Sequence, residues 1–220
     1  MLEEMFFGHR LDQRERIFMN EEIVGTPAAP RYYQGPSAIR GDYHVRIRYF
    51  TYETDEGLVV GRNTNHTFTI ERAARDVWPY IKDFNLWQNG YGYYYTGVVG
   101  DLEGKEFYIA KKDTPLANKV NETMGLSYTV LKVVPEHIIV IRQGIPEDGS
   151  TGGISPGFHV ITLNEQSDRT LVTIYTEHAR RTQGKNVVEA LASFQAGGEE
   201  TLRKFRDSFI PMLKQLVCKS

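Results

Sequence analysis

The chain is poor in cysteine, in long apolar runs and in net charge, and each scarcity removes a class of protein. Cys218 is the single cysteine of 220 residues, so no internal disulfide forms and a disulfide-stapled scaffold is excluded. No apolar run approaches the roughly 20 residues a membrane-spanning helix needs. The opening MLEEMFFGHRLDQRER has neither the basic start nor the apolar centre of a secretory leader. The expectation is a cytoplasmic protein with no membrane span. The net charge is -2, and the 26 basic residues are scattered, so nucleic acid finds no basic footprint.

Chemical motifs are scarce as well. The six histidines, His9, His44, His66, His137, His159 and His178, show no HxH or HExxH spacing, which argues against a metal site. There is no Gly-x-Ser-x-Gly elbow and no cysteine beside a plausible base. The glycine-rich DGSTGGISPG near 148–157 lacks the Lys-Ser/Thr of a phosphate loop and reads as a hairpin loop. No cofactor is expected.

What the chain does have is aromatic residues, 13 Tyr, 11 Phe and 2 Trp, many of them in segments that alternate like strands. On a curved sheet such residues fill a core or line a pocket. Residues 1–20 carry a helical signal for an arm, and GTPAAPRYYQGPSAIRGD, 25–42, reads as irregular connection because of its prolines and glycines. Tyr43, Val45, Ile47 and Tyr49 then alternate with polar residues, and ETDEG turns the chain into Leu58-Val59-Val60, a hairpin that can extend a sheet edge. We therefore expect an N-terminal extension over 1–60 and a main domain over 61–220.

From residue 65 the order is a strand, a helical pair, and strands near 93–100, 106–112, 126–134, 137–143, 158–165 and 170–178. The turns between them are short, so neighbours are antiparallel. Val187, Leu191, Phe194, Gly198, Leu202, Phe205, Phe209 and Leu216 then recur at helical spacing, and 186–217 reads as one long amphipathic helix. Pro211 and the pair Gly197 and Gly198 interrupt it, and Pro211 predicts a kink near 207–211. The whole is an α+β fold in which a curved antiparallel sheet of about seven strands wraps a long C-terminal helix, with two short helices after the first strand.

This order resembles the START-like, helix-grip superfamily, which includes birch-pollen-allergen relatives, lipid-transfer domains and the aromatase/cyclases of polyketide synthesis. The resemblance covers about residues 65–217 and rests on the element order together with Val77-Trp78, Asp83-Phe84 and Trp87 after the opening strand. The final helix departs from it, since AGGEETLRKF lacks the bulky partner that relatives often place beside a glycine. The extension over 1–60 departs too.

The resemblance implies a cavity between sheet and helix that takes a small hydrophobic ligand, aromatic, polycyclic or lipid. Polar residues embedded in strands would orient it: Arg142, His159, Glu177 and His178 as candidates for acid-base work, and Tyr94, Tyr128, Arg142, His159, Tyr175, Phe194 and Gly198 as lining. Gly197 and Gly198 would leave ligand volume in the cavity roof. Alternation puts Tyr175 and Glu177 on one strand face and Ile174 and His178 on the other. Two other readings follow from the same resemblance. One is an enzyme of the cyclase, aromatase or dehydratase kind. The other is an interaction module similar to chaperone-ATPase activators, whose N-terminal extension could also pair two copies.

Overall fold

Period-two alternation governs most of the chain, and strands follow from it. The computed structural model describes residues 31–54, 57–84, 86, 93–95, 101–111, 127–144, 154–155, 157–182 and 186–219. Among these, ten strands are formed: β1 (Arg31–Arg40), β2 (Tyr43–Thr54), β3 (Gly57–Ile70), β4 (Tyr93–Tyr95), β5 (Glu106–Lys111), β6 (Ser127–Val134), β7 (Ile138–Gly144), β8 (Ile154–Ser155), β9 (Gly157–Gln166) and β10 (Arg169–Arg181). They build one sheet in the order β1-β2-β3-β10-β9-β7-β6-β5-β4, with β8 pairing β10 off this path. All its pairings are antiparallel.

The hairpin expected around residue 55 is the β2–β3 pair, which turns at Gly57 with φ 120°, a value that suits glycine alone. Residue 60 lies inside β3, which continues unbroken to Ile70. The stretch read as irregular connection is corrected, because its residues 31–40 form β1 and pair with β2. Gly35 and Pro36 do not prevent this. They sit where the register shifts between Gln34 and Ser37, at a bulge on an edge strand, the place where a sheet tolerates a residue without an N–H.

Helix α1 (Ala74–Ile81) follows β3 almost at once. Its start has no capping side chain of its own, and Ala74 N–H donates instead to Glu165 Oε2 at 2.7 Å. A carboxylate there satisfies an orphan donor and faces the positive end of the helix. Val77, Trp78 and Ile81 are buried, and so is Phe84 just beyond. Val77, Trp78 and Phe84 are therefore packing residues of the main core. Trp87 and most of the second expected short helix lie outside the described residues.

The terminal helical run comprises α2 (Val187–Lys204), a π-helical turn (Phe205–Phe209) and α3 (Ile210–Lys219). The expected irregularity falls one turn before Pro211. Proline has no N–H and crowds the carbonyl four residues back, and widening the preceding turn to π geometry relieves both. Phe205, Phe209, Ile210, Leu213 and Val217 are all buried, and they join the sheet residues Val45, Phe68, Ile139, Ile161, Val172 and Ile174 in one core.

Packing centres on Phe205, whose ring lies 4.0 Å from that of His66 and 6.3 Å from that of Phe68. Phe205→Ala should destabilise the fold by about 3–5 kcal/mol, as expected for a buried Phe. Val188→Ala, at a position 76% exposed, should stay within about 0.5 kcal/mol. Urea unfolding followed by circular dichroism measures both.

Candidate functional site

The two faces of the sheet are set by register. On β3 the even-numbered residues Arg62, Thr64, His66, Phe68 and Ile70 are buried. His66 and Phe68 meet the terminal helical run through Phe205, so this face is the concave one. Pairing carries it across β10 through Ile174 opposite His66, Thr176 opposite Thr64 and His178 opposite Arg62. It continues to β9 through His159 opposite Thr176, and to β7 and β6 through Ile141 opposite His159 and Tyr128 opposite Gln143. Directly opposed residues share a face.

Along its length this face changes character. The part under Phe205 and Phe209 is aliphatic and aromatic. Beyond it a polar row crosses six strands: Tyr49 on β2, Arg62 and Thr64 on β3, His178 on β10, His159 on β9, Gln143 on β7 and Tyr128 on β6. Tyr49, Arg62, Thr64, Gln143 and Tyr128 are buried, and the two histidines are half-buried. Their rings sit edge to face with centroids 5.0 Å apart, and His159 meets the Tyr128 ring at 5.4 Å. Tyr128 in turn stacks on Phe107 at 5.2 Å, and Phe107 on Phe84 at 5.0 Å.

Hydrogen bonds orient one end of the row. Gln143 Oε1 accepts from the Tyr128 hydroxyl at 3.3 Å and from His159 Nε2 at 3.4 Å. Because that oxygen only accepts, Nε2 of His159 carries the proton and Nδ1 is left as the basic nitrogen. Among the described residues the opposite end of the Gln143 amide has no hydrogen-bond partner, and neither has Nε of Arg62. No carboxylate forms an ion pair with Arg62 among the described residues, although it is only 7% exposed. A buried charge without a counter-ion costs several kcal/mol, and an orphaned donor roughly 1–3 kcal/mol.

The charges of the row respond accordingly. Burial lowers the Arg62 pKa, with Tyr49 opposing the shift. Burial brings His159 down to about 4, and burial, helped by His159 and Arg62, holds His178 well below the usual histidine range. Burial, with a smaller contribution from Arg62, takes His66 to about 3. The row therefore holds neutral imidazoles beside a guanidinium, a set rich in donors and without negative charge.

The residues singled out from the sequence divide between the faces. His159, His178 and Tyr128 meet in the concave row. Arg142 does not: it is exposed, because Ile141 and Gln143 take the inward positions on β7. Tyr175 and Glu177 are on the outer face, where the Tyr175 hydroxyl donates to Glu177 Oε2 at 2.9 Å. The expectation of Tyr175 as cavity lining and of Glu177 as an acid-base group in the cavity is corrected by the even-numbered inward phase of β10. Tyr94 lies on β4, opposite Ala110, and Phe194, Gly197 and Gly198 lie in α2. The side-chain surroundings of these four, and with them the glycine roof, fall outside the described residues. Arg62 and Gln143 were missed. The signal for Arg62 is the alternation Arg62-Thr64-His66-Phe68-Ile70, which places it in phase with two core residues.

An open cleft of about 650 Å³ lies elsewhere, lined by Glu71, Arg72, Ala73, Arg75, Glu136, Glu165, Ser167 and Asp168. Its lining is mostly charged and polar, so it is not the apolar ligand space that the fold resemblance implies.

Strand order and terminal helix define this chain as an α+β protein of helix-grip architecture, a large antiparallel sheet packed on a C-terminal helical run, with a polar row on its inner face. No family model matches the chain, and no curated protein does. Solved structures similar to it include norcoclaurine synthase from Thalictrum flavum in complex with dopamine and hydroxybenzaldehyde, at 14% identity over 73% of this chain and 88% of that one, with a TM-score of 0.48. CalU16 from Micromonospora echinospora is 16% identical over 86% of this chain and 94% of that one, at 0.41. Mll3558 from Rhizobium loti is 16% identical over 71% and 97%, at 0.45. These likenesses concern the fold alone.

The histidines carry a pH signature. Unfolded, each takes a proton below about 6.5; folded, His159 does so only below about 4 and His66 below about 3. Their contribution to stability is complete above pH 6.5 and is lost as pH falls through this window, at up to about 1.4 kcal/mol per pH unit for each. His159→Gln should flatten the decline between pH 6.5 and 4. Urea midpoints of both proteins across that range provide the measurement.

Proposed function

We propose that the chain binds a small, largely apolar and aromatic ligand between the concave sheet face and α2, with an acceptor oxygen of the ligand placed on Arg62. The observation that carries this reading is the pair of orphaned donors, Arg62 Nε and Gln143 Nε2, buried in one row on one face. A ligand carrying a carboxylate, phenolate or carbonyl oxygen supplies the partner that the protein lacks. Its apolar body suits the aromatic ladder Tyr128, Phe107 and Phe84. Small-ligand sites combine an apolar lining with a few convergent polar groups in this way.

Anilinonaphthalene sulfonate, aromatic and anionic, is a direct probe. It should bind the wild-type protein saturably with a rise in fluorescence, and Arg62→Gln should weaken that binding about tenfold or more, the worth of one charge-assisted hydrogen bond. The same variant should unfold no more easily than wild type, because it removes an unpaired buried charge. Equal affinity in the two folded proteins would refute the reading.

A further inference from the structure

The outer face of β3 and β10 holds an oxygen cluster that the concave site does not use. Glu177 is directly opposite Asn63, and Tyr175 is directly opposite Asn65, so the four side chains share one face as nearest cross-strand neighbours. They bring carboxylate, amide and phenol oxygens together with the N–H donors of the two asparagine amides. The one hydroxyl proton of the group is committed, Tyr175 donating it to Glu177 Oε2 at 2.9 Å. The carbonyl oxygens Oδ1 of Asn63 and Asn65 are buried and accept no hydrogen bond among the described residues. Arg46 and Arg48, their neighbours across β2, are exposed and hydrogen-bond to neither oxygen.

The Glu177 carboxylate is half-buried and forms no ion pair among the described residues. Its backbone is held close to β9, since a side chain at Gly157 would collide with the Glu177 carbonyl. Beside the cluster, Phe158 and Val160 present half-buried apolar surface on the outer face of β9, with Val160 directly opposite Tyr175.

We infer that this cluster is a binding site for a primary ammonium group carried on an apolar body. An ammonium has three N–H donors and no acceptor, and the cluster presents a carboxylate and two amide oxygens that lack donors. The positive charge supplies the counter-ion missing from Glu177, and a hydrocarbon chain extends over Val160 and Phe158. Calcium fits the set less well, because it takes six to eight oxygens at once and the cluster holds one carboxylate; no grouping of three His, Cys, Asp or Glu side chains occurs among the described residues. The site is independent of the concave row, being on the opposite face of the same two strands. Its ammonium can come from a free amine or from a lysine side chain.

Titration calorimetry with hexylammonium chloride, with a capped Gly-Lys-Gly peptide and with calcium chloride tests this on wild type, Glu177→Gln, Asn63→Leu and Val188→Ala. Hexylammonium should bind wild type, with affinity falling at least tenfold in Glu177→Gln and Asn63→Leu and unchanged in Val188→Ala, a substitution at an exposed position of α2. Glutamine and leucine are close in size to the residues they replace, and circular dichroism confirms the folded state of each. Binding of hexylammonium alone assigns a free amine, and matching binding by the peptide assigns a lysine side chain. The inference is overturned if neither amine binds at millimolar concentration, if Glu177→Gln binds hexylammonium as wild type does, or if calcium alone binds.

Discussion

The ring of Phe205 lies on the imidazole of His66, 4.0 Å between centroids, and this contact sets the distance between the terminal helical run and the sheet. The stack needs an uncharged imidazole, and burial supplies one by disfavouring the proton. The hydroxyl of Tyr43 hydrogen-bonds to Nδ1 of the same ring at 2.9 Å, so its orientation is held from the β2 side. Behind Phe205, the buried stripe of Phe209, Ile210, Leu213 and Val217 fastens α3 to the sheet. The π-helical turn then carries the chain back into α2. Anchoring of α3 thus determines what lies under α2.

The division of the concave face follows from that anchoring. Where the helical run is pinned, the inward positions of β3, β7, β9 and β10 are apolar, and burial of that surface is the main favourable contribution. Farther along the same strands the inward positions become Arg62, Gln143, His159 and His178. Among the described residues Nε of Arg62 and Nε2 of Gln143 are buried without a hydrogen bond there, and each such orphaned donor reduces stability.

Much of the fold was legible because one strand face is buried at a time. Tyr43, Val45, Ile47 and Tyr49 alternate cleanly and form β2 as read, and the helical spacing of Phe205, Phe209 and Leu216 marks the terminal run. The failures have physical causes. β1 was hidden by Gly35 and Pro36, which read as loop residues and instead occupy a bulge. On β7 the run Ile138-Ile139-Val140-Ile141 is apolar on both faces, so its phase could not be read, and Arg142 was taken as inward when Gln143 is. The polar row is assembled from residues between Tyr49 and His178 by strand pairing, and no local spacing encodes it. His159 and His178 were identifiable as polar residues within apolar strands. Their contact was not, because it depends on the β9–β10 register.

The proposed role of Arg62, holding a ligand oxygen, can be read at the residue itself. Its side-chain Nε–H gives a separate proton–nitrogen NMR signal, which can be followed while naphthoate, an aromatic carboxylate, is added to the folded protein. This signal should move and its exchange with water should slow as naphthoate saturates, with smaller changes at the Gln143 amide. If naphthoate saturates the protein while the Arg62 Nε–H signal stays in place, the orphaned donor is not where the ligand is held, and the account is contradicted.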